Sequence, residues 1–174
     1  MRELSGTGAT TPAPDDFRAV MGRFATGVAI MTTQHGATPH GMTANAVTSV
    51  SLDPLLVLVS VERRTVMADQ VTAAGAFALS FLAHDQQELS DRFADSRRAL
   101  GQAQFAGLEV LRGETGVPIL RGGLGSVECR VWAEHDGGDH LLVVGEVVSL
   151  AAGVASDPLV FYRGGYRALA PAPD

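Results

Sequence analysis

One segment near the start of the chain has the apolar spacing of a helix. In residues 15–27, apolar side chains recur every three or four positions, which places them on one helical face. Asp15 or Asp16 can cap the N-terminus, and Gly27 can end the helix. We therefore predict an amphipathic helix here, with an apolar face made of Phe17, Val20, Met21 and Phe24.

Most of the remaining pattern is that of β-strands. Runs rich in branched apolar residues, bounded by polar or glycine-containing turns, predict four strands, over 28–33, 42–52, 55–61 and 76–82. Two helical patterns interrupt them, one over 65–74 and one over 84–94. In the second helix Asp85 can act as the N-cap, with Glu88 three positions later as in a capping box.

Two longer strands form a predicted hairpin. They cover 124–135 and 139–150 and flank the sequence DGG at 136–138, where glycine adopts positive φ at little cost. Apolar and polar residues alternate in the first strand, so we expect one buried face and one exposed face. The expected buried face is Val127, Cys129, Val131 and Ala133, and the expected exposed face is Ser126, Glu128, Arg130 and Trp132.

The order of these elements indicates the fold class. Six or so strands joined mainly by short turns favour an antiparallel sheet closed as a barrel over a parallel, doubly wound sheet. We place the folded domain at 15–169, with loose tails at 1–14 and 170–174 because both are rich in small residues and proline.

The predicted strand over 42–52 is unusually polar for its position. It carries small polar side chains directly before one of the most apolar runs in the chain, at 54–59. Extended backbone with such side chains suits a flat polar heterocycle, because main-chain N–H and C=O groups can approach the ring edge closely. We interpret the segment as a candidate ligand surface that includes Thr43, Asn45, Thr48, Ser49 and Ser51.

A second candidate contact follows about twenty residues later. Arg63, Arg64 and Thr65 stand just before the helix predicted over 65–74. Guanidinium groups, a hydroxyl and free helix N-terminal N–H groups can together hold a phosphate. An arginine pair on a solvated loop is the alternative, and the sequence leaves both interpretations open.

Composition sets limits on the class of protein. With 174 residues, 46% of them hydrophobic and 18% charged, the chain can bury the core of one domain, and its net charge of −6 argues against nucleic-acid binding. Its only cysteine, Cys129, cannot form an internal disulfide and is expected in the core rather than as a nucleophile. The apolar run at 54–59 is far shorter than the roughly 20 residues of a membrane helix. Because the N-terminal residues do not resemble a secretion signal, we expect a cytoplasmic protein without a membrane span.

Familiar catalytic and nucleotide-binding motifs are missing from the sequence. It has no dinucleotide-binding glycine fingerprint, no P-loop, no nucleophile elbow and no zinc-protease motif. Four residues around the predicted hairpin turn could be metal ligands: His135, Asp136, Asp139 and His140. We favour the interpretation that they are polar ends of a tight hairpin, and we predict no metal site.

Seven segments, in order, resemble one known family. They are FRAVMGRFATGVAIMTT, GMTANAVTSVSLDPLLVLVSV, FALSFLAHDQQELSDRFA, GVPIL, VECRVW, GDHLLVVGEV and DPLVFYRGGYR, and they span about 17–166. The chain resembles the flavin reductase-like, FMN-binding split-barrel family, and in particular the small NAD(P)H:flavin reductases of two-component monooxygenases. This resemblance implies a mainly β fold, a Greek-key split β-barrel with flanking helices.

The resemblance also implies site residues. The isoalloxazine ring would be lined by Thr43, Ala44, Asn45 and Ser49, and the ribityl chain and phosphate by Ser60, Arg64 and Thr65. Phe93 and Ala94 would close a helix near the flavin. His140 and Tyr166 would place the nicotinamide against the flavin.

The function implied by the resemblance is the reduction of FMN or FAD by NADH or NADPH. The protein would be a homodimer that supplies reduced flavin to a partner oxygenase. Hydride transfer between two cofactors needs stacking and orientation rather than a nucleophile, which agrees with the missing catalytic motifs. Three alternatives stay open: a flavin-binding electron carrier, a flavoenzyme reducing another small acceptor, and a barrel that binds a ligand other than flavin.

Overall fold

The computed structural model describes residues 11–154 and 157–169, so the predicted tail at 170–174 and most of that at 1–14 lie outside the described residues. Within these residues there are three α-helices, α1 (Pro14–Met21), α2 (Val66–Ala74) and α3 (Gln87–Ala94), with short 3-10 helices at His84–Gln86 and Gly101–Phe105. The strands are β1 (Thr26–Gly27), β2 (Ala29–His35), β3 (Thr38–Ala44), β4 (Val47–Leu52), β5 (Leu55–Glu62), β6 (Ala76–Phe81), β7 (Val110–Arg112), β8 (Pro118–Leu120), β9 (Gly125–Gly137), β10 (His140–Ala152), β11 (Val160–Tyr162) and β12 (Gly165–Arg167).

A seven-stranded antiparallel sheet forms the body of the domain. Its strand order is β3-β2-β6-β9-β10-β5-β4, and two small sheets, β1-β11-β12 and β7-β8, lie beside it. The edge strands β3 and β4 follow each other in the chain and are joined only through Asn45 and Ala46, so the two edges of the sheet come close together without pairing. The prediction of a mainly β, antiparallel fold with flanking helices is confirmed.

The main core lies between this sheet and α2. Met67 and Val71 of α2 are fully buried against apolar side chains from six strands of the sheet. These side chains include Met31, Ala44, Val59, Val61, Phe77, Leu79, Cys129 and Val143. Because α2 is anchored in this core, its N-terminus has a fixed position next to the end of β5.

The first helix differs from its prediction at both ends. Its N-cap is Ala13, and Pro14 takes a first-turn position where its missing N–H costs nothing, so neither Asp15 nor Asp16 caps it. It ends at Gly22 rather than Gly27 because the chain turns there toward β1. The predicted apolar face is present, but it is not packed against the rest of the described chain, since no residue of α1 is buried.

Three further predictions are wrong in detail. The strand predicted over 42–52 is two strands, because the chain crosses from one sheet edge to the other after Ala44. The hairpin turn is at Gly138 and Asp139 rather than at 136–138, since β9 continues through Gly137. Asp85 does not cap the helix near it; instead the Gln86 side chain accepts the Ala83 N–H at 3.0 Å.

The exposure that strand alternation predicts for Glu128 is also wrong. Its side chain is 1% exposed, on the face expected to be polar and solvated. The carboxylate accepts the backbone N–H groups of Glu114 and Thr115 at 2.9 and 2.6 Å. The loop between β7 and β8 therefore covers Glu128 and satisfies its charge with backbone donors.

Candidate functional site

One cavity of about 560 Å³ lies between the β3 edge, the end of β5, α3 and the small β11-β12 hairpin. This volume is in the usual range for a small-molecule or cofactor site. Its walls mix apolar and aromatic side chains with a few polar and charged ones. The lining residues are Val28, His40, Met42, Thr43, Asn45, Glu62, Arg64, Thr65, Val66, Phe93, Ala94, Ser96, Arg98, Leu100, Phe161 and Tyr166.

The open edge of β3 gives the cavity a hydrogen-bonding wall. Among the described strands β3 pairs only with β2, and the N–H and C=O of Gly41 point away from that partner, to Gln104 Oε1 and the Arg98 guanidinium. In an antiparallel strand every second residue directs its backbone groups to the same side. The N–H and C=O of Thr43 therefore also face the open edge, beside the cavity that Thr43 lines.

Side-chain contacts hold this edge against α3. The Thr43 hydroxyl donates to the Ser90 carbonyl at 2.6 Å. The buried Ser90 hydroxyl in turn lies 2.8 Å from the Tyr166 hydroxyl. β3, α3 and β12 are thus connected through two polar contacts at the cavity wall.

Aromatic rings form the opposite boundary. Phe93 is fully buried, and the Phe161 and Tyr166 rings meet edge to face with centroids 5.5 Å apart. The close approach of Phe93 to β3 requires glycine at position 41, because a Cβ there would be 2.5 Å from Phe93 Cε1. Rings of this kind supply flat apolar surface for a ligand.

The N-terminus of α2 contributes donors. Thr65 is the N-cap; its hydroxyl accepts from the Ala68 N–H at 3.4 Å and donates to the Glu62 carbonyl at 2.7 Å. Arg64, which precedes it, is exposed and has no ion pair or hydrogen bond to the part of the chain that the structure describes. Arg63 points elsewhere, to Asp136 at 2.6 Å and to the Gly138 carbonyl at 3.0 Å. Arg64 is thus positioned for an anion from solution.

His40 and Arg98 are cavity residues that sequence analysis missed. The His40 side chain lies 2.9 Å from Gln104 and 3.3 Å from Arg98. Burial, together with the Arg98 charge, lowers the pKa of His40 to about 4, so its ring is neutral at neutral pH. No local pattern could have identified the pair, because the two residues are 58 positions apart.

Seven of the predicted site residues line the cavity together: Thr43, Asn45, Arg64, Thr65, Phe93, Ala94 and Tyr166. The other four do not line it. Ala44 packs into the main core, Ser49 is exposed on β4, and Ser60 is half-buried on β5 opposite Leu142. His140 begins β10, where its register partner is the cavity residue Glu62.

His140 therefore lies beside the cavity rather than in it. Its Nδ1 is 2.7 Å from Asp139 Oδ1, and this contact lowers the pKa of Asp139. This contact uses Nδ1, so Nε2 is left for another partner.

The side chains considered above as metal ligands or as a nucleophile have structural roles. Asp136 is engaged by Arg63 and Asp139 by His140, and among the described residues no group of three or more His, Cys, Asp or Glu side chains could hold a metal ion. Burial, followed by the nearby Glu128 charge, raises the pKa of Cys129 to about 12, so this core residue stays a thiol.

In residues 11–154 and 157–169, no helix is both long and apolar enough to cross a membrane.

Comparison with known proteins agrees with this geometry. The model of the flavin reductase like domain matches residues 21–170. An NADH-dependent flavin reductase from Rhodococcus is 41% identical over 97% of this chain and 94% of its own length. The reductase subunit HsaB of a flavin-dependent monooxygenase from Mycobacterium tuberculosis is 36% identical over 91% of this chain and 83% of its own length.

A solved structure extends the comparison to the fold. The NADH:FAD oxidoreductase SgcE6 of Streptomyces globisporus, in complex with NAD and FAD fragments, superposes with a TM-score of 0.85. It is 37% identical, and the match covers 95% of this chain and 100% of that one. By sequence and by fold, the chain belongs to the flavin reductase-like domain family.

Proposed function

We propose that this chain is an NAD(P)H:flavin oxidoreductase that reduces FMN or FAD and passes the reduced flavin to a partner monooxygenase. The observation that carries the proposal is the cavity, which combines an open β-strand edge with Arg64 and the N-terminus of α2. The relatives are named as NADH-dependent flavin reductases or as a reductase subunit of a monooxygenase, in agreement with this chemistry.

The cavity residues fit a flavin. The Thr43 backbone groups and the Asn45 amide match the polar edge of a flat heterocycle. The partly exposed rings of Phe161 and Tyr166 supply apolar surface near it, and Phe93 is buried in the cavity wall. Arg64, with the free N–H groups at the start of α2, matches a phosphate.

We propose direct ring contacts at Thr43 and Asn45. Ala44, whose side chain is in the core and whose backbone groups face β2, would hold these two residues in position. Ser49 is exposed on β4 outside the cavity lining, so its ring contact stays a prediction from the resemblance.

The remaining predicted contacts are part of the proposal. Ser60 and Thr65 would assist Arg64 at the ribityl chain and phosphate, and Ala94 would stand beside the flavin at the end of α3. Because the Thr65 hydroxyl already caps α2, its contribution would be to hold the helix N–H groups in place rather than to bind directly.

When bound, flavin would supply the redox chemistry as the acceptor of a hydride from the nicotinamide. The chain has to bind, orient and shield the two ligands. Tyr166 is restrained by Ser90, so it can serve as a fixed wall for the nicotinamide. His140, held by Asp139, has Nε2 available as a donor or acceptor at the cavity rim.

A homodimer is part of the proposal. On and just after α1, Phe17, Val20, Met21 and Phe24 are 50–71% exposed. Such a concentration of large apolar side chains is typical of a surface that another protein covers. We propose that a second copy of the chain covers it, and that the dimer acts in the cytoplasm.

Steady-state oxidation of NADH or NADPH with excess FMN or FAD tests the proposal. The expected result is many turnovers for each protein molecule. An electron carrier would hold flavin but sustain no such turnover. If neither nicotinamide is oxidised with either flavin, the proposal is wrong.

A further inference from the structure

A conflict between hydrogen-bond donors at His40 indicates a binding contact that the proposed flavin site does not use. Four groups contact one another in series: the Gly41 N–H, the Gln104 amide, the His40 ring and the Arg98 guanidinium. Their separations are 2.8 Å from Gly41 N to Gln104 Oε1, 2.9 Å from Gln104 Nε2 to His40 Nδ1, and 3.3 Å from His40 Nε2 to Arg98 Nη2.

The first and last groups of this series can only donate hydrogen bonds. The Gly41 group is a backbone N–H, and a guanidinium has no acceptor. The Gln104 amide has one acceptor and one donor side, and a neutral imidazole has one of each as well. Each of the three contacts needs one donor and one acceptor, but the four groups together offer four donors and two acceptors for these contacts. One of the three contacts must therefore place a donor against a donor.

The distances locate the mismatch. The Gly41 and Gln104 contacts, at 2.8 and 2.9 Å, have the usual length of hydrogen bonds, whereas the contact from His40 to Arg98, at 3.3 Å, is the longest of the three. His40 Nδ1 therefore accepts from Gln104, and Nε2 carries the proton. Nε2–H then faces an arginine N–H, and the two donors need an acceptor between them.

Among the described residues, no acceptor forms a hydrogen bond with His40 Nε2, whose contact is with Arg98. His40 is 2% exposed and lines the cavity, so its ring is shielded from solvent except on the cavity side. Arg98 donates to the Gly41 carbonyl at 2.9 Å and to the Asp95 carbonyl at 2.9 Å, which leaves guanidinium N–H groups over. The Asp95 carboxylate is bonded to Arg97, and among the described residues no carboxylate forms an ion pair with Arg98.

Both side chains line the cavity, so the missing acceptor can come from a ligand there. We propose that His40 Nε2–H and Arg98 together bind a phosphate oxygen of a nucleotide in this cavity. An anionic oxygen is favoured over a neutral carbonyl because it also pairs with the half-buried Arg98 charge. The proposal rests on the proposed function, and the phosphate can belong to the flavin or to the nicotinamide dinucleotide.

The His40 tautomer tests the donor argument without any activity measurement. Long-range ¹H–¹⁵N NMR of the ligand-free wild-type protein distinguishes Nε2–H from Nδ1–H. We expect the proton on Nε2. A proton on Nδ1 would overturn the proposal, because His40 Nε2 could then accept from Arg98 and the mismatch would lie between Gln104 and the Gly41 N–H instead.

Binding titrations test the ligand. In Arg98→Gln we expect roughly tenfold weaker binding of at least one phosphate-bearing ligand, with riboflavin affinity changed by less than about twofold. Arg97→Gln is the matched control, because Arg97 is the neighbouring exposed arginine and does not line the cavity. Arg98→Lys, which keeps the charge, should recover part of the loss and guards against a folding defect.

The pattern of losses identifies the source of the phosphate. A loss for FMN indicates the flavin phosphate, a loss for FAD alone indicates its second phosphate, and a loss for NAD⁺ alone indicates the dinucleotide. Unchanged binding of all three, or a riboflavin loss as large as that of FMN, would overturn the proposal. Wild-type protein that binds no flavin would contradict the proposed function instead.

Discussion

Arg64 is the residue on which proposed phosphate recognition at α2 depends most. It lines the cavity and precedes the N-cap Thr65, so its charge and the helix N–H groups can act on the same anion. Arg63, its neighbour, is already engaged by Asp136 and Gly138. The two adjacent arginines therefore differ in availability and provide a matched pair for experiment.

We expect Arg64→Gln to weaken FMN binding by roughly tenfold, about 1.4 kcal/mol, because a charge-assisted contact is lost. Riboflavin has no phosphate, so its affinity should change little. Fluorescence titration with both ligands measures the difference, with Arg63→Gln as the control that should leave both affinities unchanged. Equal losses for FMN and riboflavin in Arg64→Gln would remove this arginine from the phosphate site.

His140 is the residue expected to act on the nicotinamide alone. It lies at the rim, next to Glu62 and outside the lining of the cavity. His140→Ala should slow flavin reduction or raise the KM for the nicotinamide by roughly tenfold, with flavin affinity nearly constant. Stopped-flow reduction of the flavin-loaded variant measures this effect, and a wild-type rate and nicotinamide dependence would contradict the assignment.

At the scale of elements, the cavity exists because α3 packs closely on the β3 edge. Gly41 makes this possible, since a Cβ there would be 2.5 and 2.8 Å from two Phe93 ring carbons. We expect Gly41→Ala to lower the free energy of unfolding by about 1–3 kcal/mol, because the buried Phe93 ring must shift. Flavin affinity should fall as well, because the Phe93 ring that must shift lines the cavity, as does Thr43, two residues after Gly41.

Urea denaturation and flavin titration measure the two effects. Gly27→Ala is the control, because a Cβ at Gly27 would have no atom within 4 Å and its φ is not in the left-handed region. Stability and flavin affinity of Gly41→Ala equal to those of Gly27→Ala would show that the packing of α3 on β3 does not form the site.

The same elements show what the sequence could and could not predict. Local patterns identified α2 and most strands of the main sheet. Of the polar residues predicted as a ligand surface, Thr43 and Asn45 line the cavity, whereas Thr48, Ser49 and Ser51 lie on β4 outside its lining. The break between β3 and β4 has no glycine or proline to mark it, and it arises because the chain crosses between sheet edges. Glu128, His40 and Arg98 owe their positions to contacts from distant segments, which periodicity does not encode.

At the scale of the whole molecule, the exposed apolar face of α1 is the main feature that one chain leaves unexplained. We expect the protein to have twice the 18.1 kDa chain mass in sedimentation or light-scattering measurements. Phe17→Glu places a charge on the 62% exposed Phe17 and should shift the protein to monomer. Leu111→Glu changes a separate exposed apolar residue, at 48%, and should leave the dimer intact. Wild-type protein that stays monomeric at micromolar concentration would contradict the dimer.

The central claim is that flavin is reduced by NAD(P)H in the cavity between β3, α2 and α3. Anaerobic single-turnover bleaching of flavin by NADH tests it most directly when wild-type protein is compared with Ala94→Trp. Ala94 is exposed at the end of α3 and lines the cavity, so an indole there should fill part of it, whereas Ala99→Trp lies outside the lining and is the control. We predict rapid bleaching for wild type and Ala99→Trp, with flavin binding and bleaching both at least roughly tenfold impaired in Ala94→Trp. Bleaching by Ala94→Trp at the wild-type rate would contradict the account.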